Sequence, residues 1–327
     1  MESISKIGVF TSGGDAPGMN ACVRAVVRTA MSHDLEVLGI RRGYQGMIEG
    51  DMVEMDGKSV SNIVQKGGTI LKSARSDEFR TVEGRARAAE HLQKAGIQGL
   101  IAIGGDGSFK GAAIFYDEHQ IPLVGCPGTI DNDLFGTDET IGFDTAMNTA
   151  LENIDKIRDT ADAHDRLFLV EVMGRDAGFI ALNCGIGGGA ELVLIPEMLS
   201  DVDEVKRQIR SLMSSQSRSS VVVVAEGDEL GGAAKVAEVL KADHSFDHVD
   251  LRVCILGHTQ RGGSPTARDR VLASRLGVAA VDALVEGHYN VMVGMQDGEV
   301  HLTPSRNVWG RKKSINYELL RLIELLR

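Results

Sequence analysis

The sequence predicts an α/β protein with two doubly wound, Rossmann-like α/β/α domains whose sheets are mainly parallel. The chain has 327 residues, 43% apolar but only 4% aromatic, and short β-branched runs alternate with longer helical patterns. This length accommodates two domains. Continuous apolar runs, in contrast to alternating ones, are typical of strands buried on both faces, which occur in parallel sheets covered by helices.

The predicted elements follow one another along the whole chain. The strands are short apolar runs: Ile7–Phe10, Val37–Ile40, Leu100–Ile103, Leu123–Gly125, Phe168–Val172, Leu192–Ile195, Val221–Ala225, Val253–Leu256 and Val291–Val293. The helices have apolar residues at helical spacing: Gly18–Ser32, Val82–Lys94, Thr145–Thr160, Asp201–Ser214, Ala233–Lys241 and Arg268–Val285. Asp201, with Glu204 at the capping-box position, is the expected N-cap of its helix. We expect the basic run Arg311–Lys313 to be a solvated face at the start of the last helix.

Charge and cysteine content exclude several classes of protein. A net charge of −11 opposes binding to nucleic acid or to acidic membrane surfaces. The four cysteines are far apart, with no CxxC pair, so neither a structural zinc site nor a redox motif is indicated. No apolar stretch approaches the roughly 20 residues that span a bilayer, and the first one is too short for a secretory core. We therefore expect a cytoplasmic protein.

Nearly every predicted strand ends in a cluster of glycine or polar residues. These clusters are Thr11–Asp15, Gly104–Ser108, Pro127–Asp133, Met173–Arg175, Glu226–Asp228 and Gly257–Gly263. Ligands of open parallel sheets bind at the carboxyl ends of the strands. The clusters are therefore expected to converge on one crevice.

Two glycine-rich turns have the composition of phosphate-binding turns. Gly13–Asp15 and Gly105–Ser108 each offer N–H groups without Cβ obstruction just before a helix, whose dipole favours an anion. A lone pair of glycines would be an ordinary strand-to-helix turn more often than a ligand site, and the presence of two such turns strengthens the functional interpretation. Asp106 adds a carboxylate that can hold Mg²⁺ directly or through water.

Other nucleotide-binding patterns fail or are ambiguous. The sequence has no GxxxxGK[ST] segment, which excludes a P-loop protein. Gly185, Gly187 and Ala190 fit the dinucleotide pattern, but they precede a strand where that motif must follow one, so we reject an NAD site. The GGDG segment also occurs in diacylglycerol and NAD kinases, which remain an alternative.

The polar cluster Thr129–Asp133 is the expected centre of the chemistry. Phosphoryl transfer to a hydroxyl needs a carboxylate that accepts the hydroxyl proton, and Asp131 and Asp133 can point to one side of an extended turn. An Asp/Asn-rich turn with capping carboxylates is the structural alternative. Six arginines beside turns or strand ends could bind phosphate oxygens or form surface ion pairs: Arg75, Arg80, Arg166, Arg175, Arg252 and Arg261.

Five segments together resemble the bacterial ATP-dependent 6-phosphofructokinases: TSGGDAPGMN from Thr11, GGDGS from Gly104, PGTIDND from Pro127, VEVMGR from Val170 and GHTQRGGSP from Gly257. The resemblance implies transfer of the γ-phosphoryl group of ATP to fructose 6-phosphate by a homotetramer whose active sites are shared between subunits. It also implies an ATP-binding domain of residues 1–141 with 259–309. The fructose-6-phosphate domain would comprise 142–258 with 310–327.

Roles carried over by position follow from this resemblance. The implied catalytic residues are Asp131 as the base, Thr129, Asp133, Arg75 and Arg175. The implied nucleotide contacts are Gly14, Arg75, Ser76, Gly105, Asp106, Gly107 and Ser108, with Asp106 as the Mg²⁺ residue. The implied sugar-phosphate contacts are Thr129, Ile130, Asp131, Met173, Gly174, Arg175, Glu226, His258, Thr259, Gln260 and Arg261, with Arg166 and Arg252 reaching in from a neighbouring subunit.

Two glycines favour ATP as the donor. Pyrophosphate-dependent relatives typically have Asp at the position of Gly107 and Lys at that of Gly128, where the ATP form leaves room for the α-phosphate. A pyrophosphate-dependent enzyme is the alternative. A non-catalytic sugar-phosphate- or nucleotide-binding regulator is a second alternative, but such a protein would be expected to lack Asp131 or Asp106.

The implied effector site departs from the family pattern. Its matching residues are Arg24, Arg28, Arg158 and Glu191. Gly57 stands where an Arg is usual, and Ser215 and Ser217 stand where lysines are usual. The loss of three cations should weaken the capture of a phosphorylated effector. We therefore expect blunted or altered allosteric control.

Overall fold

The structure is a computed structural model that describes residues 4–163, 166–198, 201–214 and 220–326. Its strands are β1 Lys6–Thr11, β2 Glu36–Ile40, β3 Met52–Met55, β4 Gly99–Gly104, β5 Leu123–Pro127, β6 Leu167–Val172, β7 Leu192–Leu194, β8 Ser220–Ala225, β9 Leu251–Ile255, β10 Val291–Gln296 and β11 Glu299–Pro304. Its helices are α1 Met19–Ser32, α2 Gly43–Glu49, α3 Val82–Lys94, α4 Asp106–His119, α5 Phe143–Asp162, α6 Phe179–Gly187, α7 Val202–Ser214, α8 Gly232–Lys241, α9 Ala267–Val285, α10 Ser305–Gly310 and α11 Tyr317–Leu326. No helix within these residues has the length and apolarity needed to cross a bilayer.

The chain divides into two compact units. The first unit comprises Met1–Thr145 and Arg261–Lys313, and the second comprises Ala146–Gln260 and Ser314–Arg327. Within the described residues, the first unit contains a seven-stranded sheet of order β11-β10-β5-β4-β1-β2-β3. The second contains a four-stranded sheet of order β7-β8-β6-β9.

The central strands are parallel because both of their faces are covered. All six residues of β4 are buried in the first unit, as are all six of β8 in the second. The four strands of the second sheet pair in parallel throughout. These arrangements confirm the predicted fold class.

Helices pack closely on the first sheet where small residues allow it. A Cβ atom added at Gly277 of α9 would lie 2.7 Å from the Cβ of Ala25 on α1, so this glycine permits the close approach of the two helices. On the other side, Phe10, Tyr44, Phe79 and Phe115 form a continuous aromatic cluster, in which the rings of Tyr44 and Phe79 stack 3.9 Å apart.

The sequence-based prediction found all nine parallel-type strands and missed two others. β3 pairs antiparallel with β2, and β11 pairs antiparallel with β10, so both are sheet edges. Four of the six residues of β11 are consecutive exposed positions, which leaves no continuous apolar run to detect. Asp201 accepts a hydrogen bond from Asp203 N at 3.3 Å, as expected of an N-cap.

The basic run before the last helix differs from its prediction. α11 begins at Tyr317, so Arg311–Lys313 precede the helix by several residues. Lys312 instead forms an isolated antiparallel bridge with Leu134. Arg311 and Lys312 are exposed, as predicted, whereas Lys313 is half-buried.

Candidate active site

Three strand ends of the first unit lie side by side. β4 pairs in parallel with β1 and with β5, so that Thr11 lies opposite Ile103 and Gly104 opposite Pro127. The main chain extends these pairings: Ser12 N donates to Ile103 O at 2.9 Å, and Gly128 N donates to Gly104 O at 2.9 Å. The polar turns that follow β1, β4 and β5 therefore share one edge of the sheet.

The first glycine turn, Gly13–Asp15, follows β1 and contacts an arginine. Gly13 has a φ of 86°, a value that favours glycine, and its carbonyl accepts a hydrogen bond from Ser73 Oγ at 2.7 Å. A Cβ atom at Gly14 would lie only 2.5 Å from Arg261 Nη1. That guanidinium donates to Asp15 O at 3.2 Å. The turn therefore carries a positive charge in this acidic protein.

The second glycine turn, Gly105–Ser108, forms the N-terminus of α4. Gly105 is the extended N-cap residue, and Asp106 is the first residue of the helix. Ser108 is buried, and its main chain is held in place because its carbonyl accepts a hydrogen bond from Tyr44 Oη at 2.6 Å. N–H groups at a helix N-terminus, together with the helix dipole, attract a phosphate.

The carboxylate turn, Thr129–Asp133, contacts the second glycine turn. A Cβ atom at Gly105 would lie 3.5 Å from Thr129 Cβ. Within the carboxylate turn, Asp131 N donates to Thr129 Oγ1 at 3.2 Å, and Thr140 Oγ1 donates to Thr129 O at 2.6 Å. Thr129 and Asp131 are each 7% exposed. A glycine-rich turn at a helix N-terminus and a buried carboxylate thus lie close together, as the sequence predicted.

The two glycines that are expected to discriminate between ATP and pyrophosphate have different surroundings. A Cβ atom at Gly107 would meet nothing within 4 Å. At Gly128 it would lie 2.9 Å from Ile103 Cγ2 and 3.2 Å from Met19 Cε. A larger side chain therefore fits at position 107 without rearrangement, whereas position 128 also has a packing requirement for glycine.

Arg75 and Ser76 lie on a segment that is tied to the first glycine turn. Ser73 makes the bond to Gly13 described above, and Ser76 Oγ donates to Gln45 Oε1 at 2.8 Å. Arg75 is exposed between these two anchored residues. Arg80, by contrast, pairs with Asp77 at 3.8 Å on an exposed surface, so the structure supports the alternative of a surface ion pair for this arginine.

In the second unit, the ends of β6 and β8 are joined by one carboxylate. Glu226 Oε1 accepts from Arg175 N at 2.8 Å and from Gly174 N at 3.3 Å. Gly174 has a φ of 146°, which favours glycine, and Arg175 has a φ of 56°, which is uncommon for a residue other than glycine. The side chain of Arg175 is 65% exposed, which leaves the guanidinium available to an anionic ligand.

Other predicted sugar-phosphate contacts surround this turn in the second unit. The amide of Met173 donates to Gln260 Oε1 at 3.3 Å, and both residues are buried. Thr259 Oγ1 donates to Leu256 O at 2.7 Å. His258 is exposed beside Thr259. Met173 and Gln260 are thus buried, whereas His258 and Thr259 are accessible to solvent.

Arg166 and Arg252 lie at the opposite end of the same sheet. Arg166 precedes β6, and Arg252 pairs with Phe168 near the start of that strand. Both bond to Asp250: Arg166 Nε lies 2.8 Å from Oδ2, and Arg252 Nη2 lies 2.9 Å from Oδ1. The hydrogen bond from Arg166, with the charge of Arg252, lowers the pKa of Asp250. Within one chain these arginines do not join the Gly174–Arg175 turn.

The candidate effector residues occur in both units. Arg24 and Arg28 are four residues apart on α1, so they share one face of the helix. In the second unit, Arg158 donates to Gly188 O, to Gly189 O and to Glu191 Oε1, the last at 3.1 Å. Ser215 and Ser217 lie outside the described residues.

Sequence reasoning missed Asp269, a buried carboxylate that supports the start of α5. Its oxygens accept from Gly142 N and Thr145 N, each at 2.8 Å, and from Thr145 Oγ1 at 2.5 Å. Burial raises the pKa of Asp269 to about 6. Between Arg268 and Arg270 it resembles a surface charge in the sequence, and only the tertiary structure shows its partners.

The donor set suits a magnesium ion that is bound together with a nucleotide. Among the described residues, no group of three or more His, Cys, Asp or Glu side chains could hold a metal. Mg²⁺ is usually held by one or two carboxylates with substrate phosphates and water. Asp106, half-buried at the N-terminus of α4, provides a carboxylate of this kind.

These features define a two-unit α/β protein in which two glycine-rich turns and a buried carboxylate lie at the same end of one sheet. The phosphofructokinase family model matches residues 6–284. The chain is 59% identical over 323 residues to the ATP-dependent 6-phosphofructokinase 1 of Thermus thermophilus, with 99% of each chain covered. It is 56% identical to the ATP-dependent 6-phosphofructokinase of Cytophaga hutchinsonii, covering 99% of this chain and 98% of that one. The chain belongs to the phosphofructokinase family.

Solved structures show the same fold. A phosphofructokinase structure from Saccharomyces cerevisiae matches with a TM-score of 0.85 and 36% identity over 98% of this chain. This chain spans 46% of the length of the yeast chain. A pyrophosphate-dependent phosphofructokinase from Marinobacter aquaeolei matches with a TM-score of 0.83 at 23% identity, covering 96% of this chain and 86% of that chain, which concerns the fold alone.

Proposed function

We propose that this chain is an ATP-dependent 6-phosphofructokinase. It transfers the γ-phosphoryl group of ATP to the 1-hydroxyl of fructose 6-phosphate, giving fructose 1,6-bisphosphate and ADP. The observation that supports this most directly is the contact between the second glycine turn and the carboxylate turn, at Gly105 and Thr129. Relatives of 52–59% identity named ATP-dependent 6-phosphofructokinase agree with it.

The proposed chemistry assigns one role to each group. Asp131 accepts the proton of the sugar's 1-hydroxyl while the oxygen of that hydroxyl forms a bond to the γ-phosphorus of ATP. The bond between the γ-phosphorus and the bridging oxygen breaks, and this oxygen leaves with ADP. Thr129 Oγ1 accepts a hydrogen bond from Asp131 N, so its own hydroxyl proton can be donated to a phosphate oxygen. Arg75 and Arg175 offset the charge that develops on the phosphoryl oxygens.

We assign nucleotide binding to the first unit. The two glycine turns provide N–H groups for the phosphates, and Asp106 would hold Mg²⁺. When bound, the ion neutralises charge on the β- and γ-phosphates. The open space beside Gly107 supports ATP as donor over pyrophosphate, because an α-phosphate needs room that an aspartate there would fill with negative charge.

We assign fructose 6-phosphate to the second unit, with help from another subunit. The exposed Arg175 and His258 lie at the carboxyl ends of the strands, whereas Arg166 and Arg252 lie at the amino ends. β6 has six residues, so these two ends are about 20 Å apart. One sugar phosphate cannot reach both within one chain, which supports Arg166 and Arg252 serving the site of a neighbouring copy in a homotetramer.

We also propose that allosteric control of this enzyme is blunted. Gly57 has no cation to offer, and Arg158 already bonds to two carbonyls and to Glu191 within its own unit. A phosphorylated effector would have to displace these bonds. The relevant test is a steady-state assay with added ADP, where strong activation would contradict the proposal.

The proposal places the enzyme in the cytoplasm. Cys22, Cys126, Cys184 and Cys254 are all free thiols in the structure, as suits a reducing compartment. Fractionation of the source cells, followed by an assay of each fraction, tests this location.

A coupled assay tests the reaction itself. Purified protein is supplied with fructose 6-phosphate, Mg²⁺ and ATP, and ADP release is followed; pyrophosphate replaces ATP in a parallel reaction. We expect turnover with ATP and at least about a hundredfold less with pyrophosphate, since every relative cited above at more than 50% identity is named for ATP. Turnover with pyrophosphate alone would show that the donor assignment is wrong, and turnover with neither donor would refute the reaction.

A further inference from the structure

The basic segment Arg311–Lys313 lies along the loop that directly follows the carboxylate turn. Lys312 forms its antiparallel bridge with Leu134. The guanidinium of Arg311 lies 5.2 Å from the ring centre of Phe135, in a cation–π contact. Lys313 Nζ donates to Asp138 O at 2.6 Å. Three consecutive residues therefore contact Leu134, Phe135 and Asp138 of this loop.

The hydrogen bond from Lys313 has the same acceptor as a hydrogen bond from a side chain of the carboxylate turn. Asn132 Nδ2 also donates to Asp138 O, at 3.3 Å, so the ammonium and the amide share one carbonyl. Asn132 has a φ of 55° and is 4% exposed. A left-handed residue between Asp131 and Asp133 decides where the two carboxylates point, and non-glycine residues need support to hold this conformation.

The charges around Lys313 are mostly negative. Asp138, Glu139 and Asp133 act on the ammonium, and Arg268 of α9 pairs with Glu139. The carboxylate of Asp138 also accepts from Asp297 N at 2.8 Å. Arg311 and Lys312 are the other cations of the segment, and both are exposed. Lys313 is therefore the half-buried cation that this acidic loop holds close to the turn.

We propose that Lys313 is a positioning residue for phosphoryl transfer, acting through the carbonyl of Asp138 and the side chain of Asn132 to hold Asp131 in its productive orientation. This inference rests on the proposed function, because it assumes that Asp131 is the base. Lys313 touches no reacting atom in this scheme. Its loss would let the turn move, and small displacements of a reacting group reduce the rate much more than they reduce substrate binding.

The test compares three single variants in steady-state assays. Lys313→Met removes the donor, Lys313→Arg keeps one, and Lys312→Met removes an exposed neighbouring cation as a matched control. We expect Lys313→Met to lower kcat about tenfold while KM for ATP and fructose 6-phosphate changes less than about twofold. Lys313→Arg should recover most of the rate, and Lys312→Met should match the parent enzyme.

The pH profile provides a readout that a general loss of stability would not change. Burial lowers the pKa of Lys313 to about 8, so the ammonium is charged below that pH and loses its proton above it. The parent kcat should therefore decline as pH rises through about 8. Lys313→Met should lack this decline, and Lys313→Arg should shift it beyond the measured range, because arginine stays protonated.

A second variant keeps the inference testable if Lys313→Met does not fold. Asn132→Gly keeps the left-handed backbone but removes the amide bond to Asp138 O, and it should lower kcat similarly; an unchanged kcat in this variant would also overturn the inference. Where both single variants fold and both residues act through that carbonyl, the double variant should be little slower than either single one. Unchanged kcat in Lys313→Met, or fully additive losses, would overturn the inference. Absence of turnover in the parent enzyme would instead refute the proposed function.

Discussion

The carboxylate turn of the first unit is held by several separate hydrogen bonds, whereas both amides of the Gly174–Arg175 turn in the second unit donate to one side chain. Thr129 O, Asp131 N and the side chain of Asn132 each have a separate hydrogen-bond partner. In the second unit, Glu226 alone accepts from the amides of both Gly174 and Arg175. The turn that we propose performs the chemistry thus has several supports, and the turn that we propose binds substrate has one side-chain acceptor for two amides.

This difference has a physical reason. A general base must be placed within hydrogen-bond reach of one proton, and redundancy reduces the reorganisation that the reaction would otherwise require. An exposed arginine that binds a phosphate tolerates more movement, because its long side chain adapts to the ligand. The comparison predicts that changes in the first unit affect kcat and that changes in the second unit affect KM for the sugar phosphate.

The largest expected effect is that of Asp131→Ser. Because the Asp131 amide and the Thr129 carbonyl keep their hydrogen bonds in this variant, the turn should keep its backbone conformation while it loses the base. We expect kcat to fall about a thousandfold, within the range for removal of a general base, with the affinity for fructose 6-phosphate nearly unchanged. Steady-state kinetics together with equilibrium binding of the sugar phosphate measure both quantities. Near-normal turnover would remove Asp131 from the base role.

A second prediction concerns Gly107, the position in the first unit that is expected to favour ATP as the phosphoryl donor. Gly107→Asp should reduce kcat/KM for ATP about a hundredfold or more, because a carboxylate beside the phosphates adds like-charge repulsion. The site is open and lies in the first turn of α4, so thermal stability should not fall. Gly107→Ala is the control for bulk without charge and should retain ATP use. ATP kinetics that are the same in both variants would contradict the donor assignment.

The third prediction tests the carboxylate that both amides of the Gly174–Arg175 turn share. Glu226→Ala removes the acceptor of two amide bonds, and we expect KM for fructose 6-phosphate to rise about tenfold, as for a lost charge-assisted hydrogen bond. Glu226→Gln retains one carbonyl oxygen and should have a smaller effect. A tenfold fall in kcat at constant KM in the alanine variant would contradict the prediction that changes in the second unit affect KM for the sugar phosphate.

Much of this architecture follows from local sequence patterns. β4 and β8 are buried along their whole length, and such runs have few other interpretations. The glycine turns were predictable because Gly13 and Gly14 meet constraints that other residues cannot, a left-handed φ and the approach of Arg261. The edge strand β11 was not predictable, because its residues are mostly exposed and do not form an apolar run.

The supports behind the site could not be predicted, because they are contacts between distant segments. Asp269 bonds to Thr145 across 124 positions, and Lys313 bonds to Asp138 across 175. In the sequence, both residues stand beside other charged residues and have the appearance of surface positions. Which charged residue in such a run becomes buried depends on the packing of the whole unit. The local sequence pattern does not indicate it.

The smallest predicted effect concerns the effector residues. A Cβ atom at Gly57 would lie 3.9 Å from the sulfur of Met31, an ordinary contact, so Gly57→Arg should fold without loss of stability. The new cation lies in the first unit with Arg24 and Arg28, and one added charge at a partly exposed site should strengthen ADP activation only a few-fold. Gly57→Ala is the control and should respond to ADP as the parent does. If Gly57→Arg instead gave the same ADP response as Gly57→Ala, the missing cation at position 57 would not be the cause of blunted control, and the commitment of Arg158 to Gly188, Gly189 and Glu191 would remain as the explanation to test.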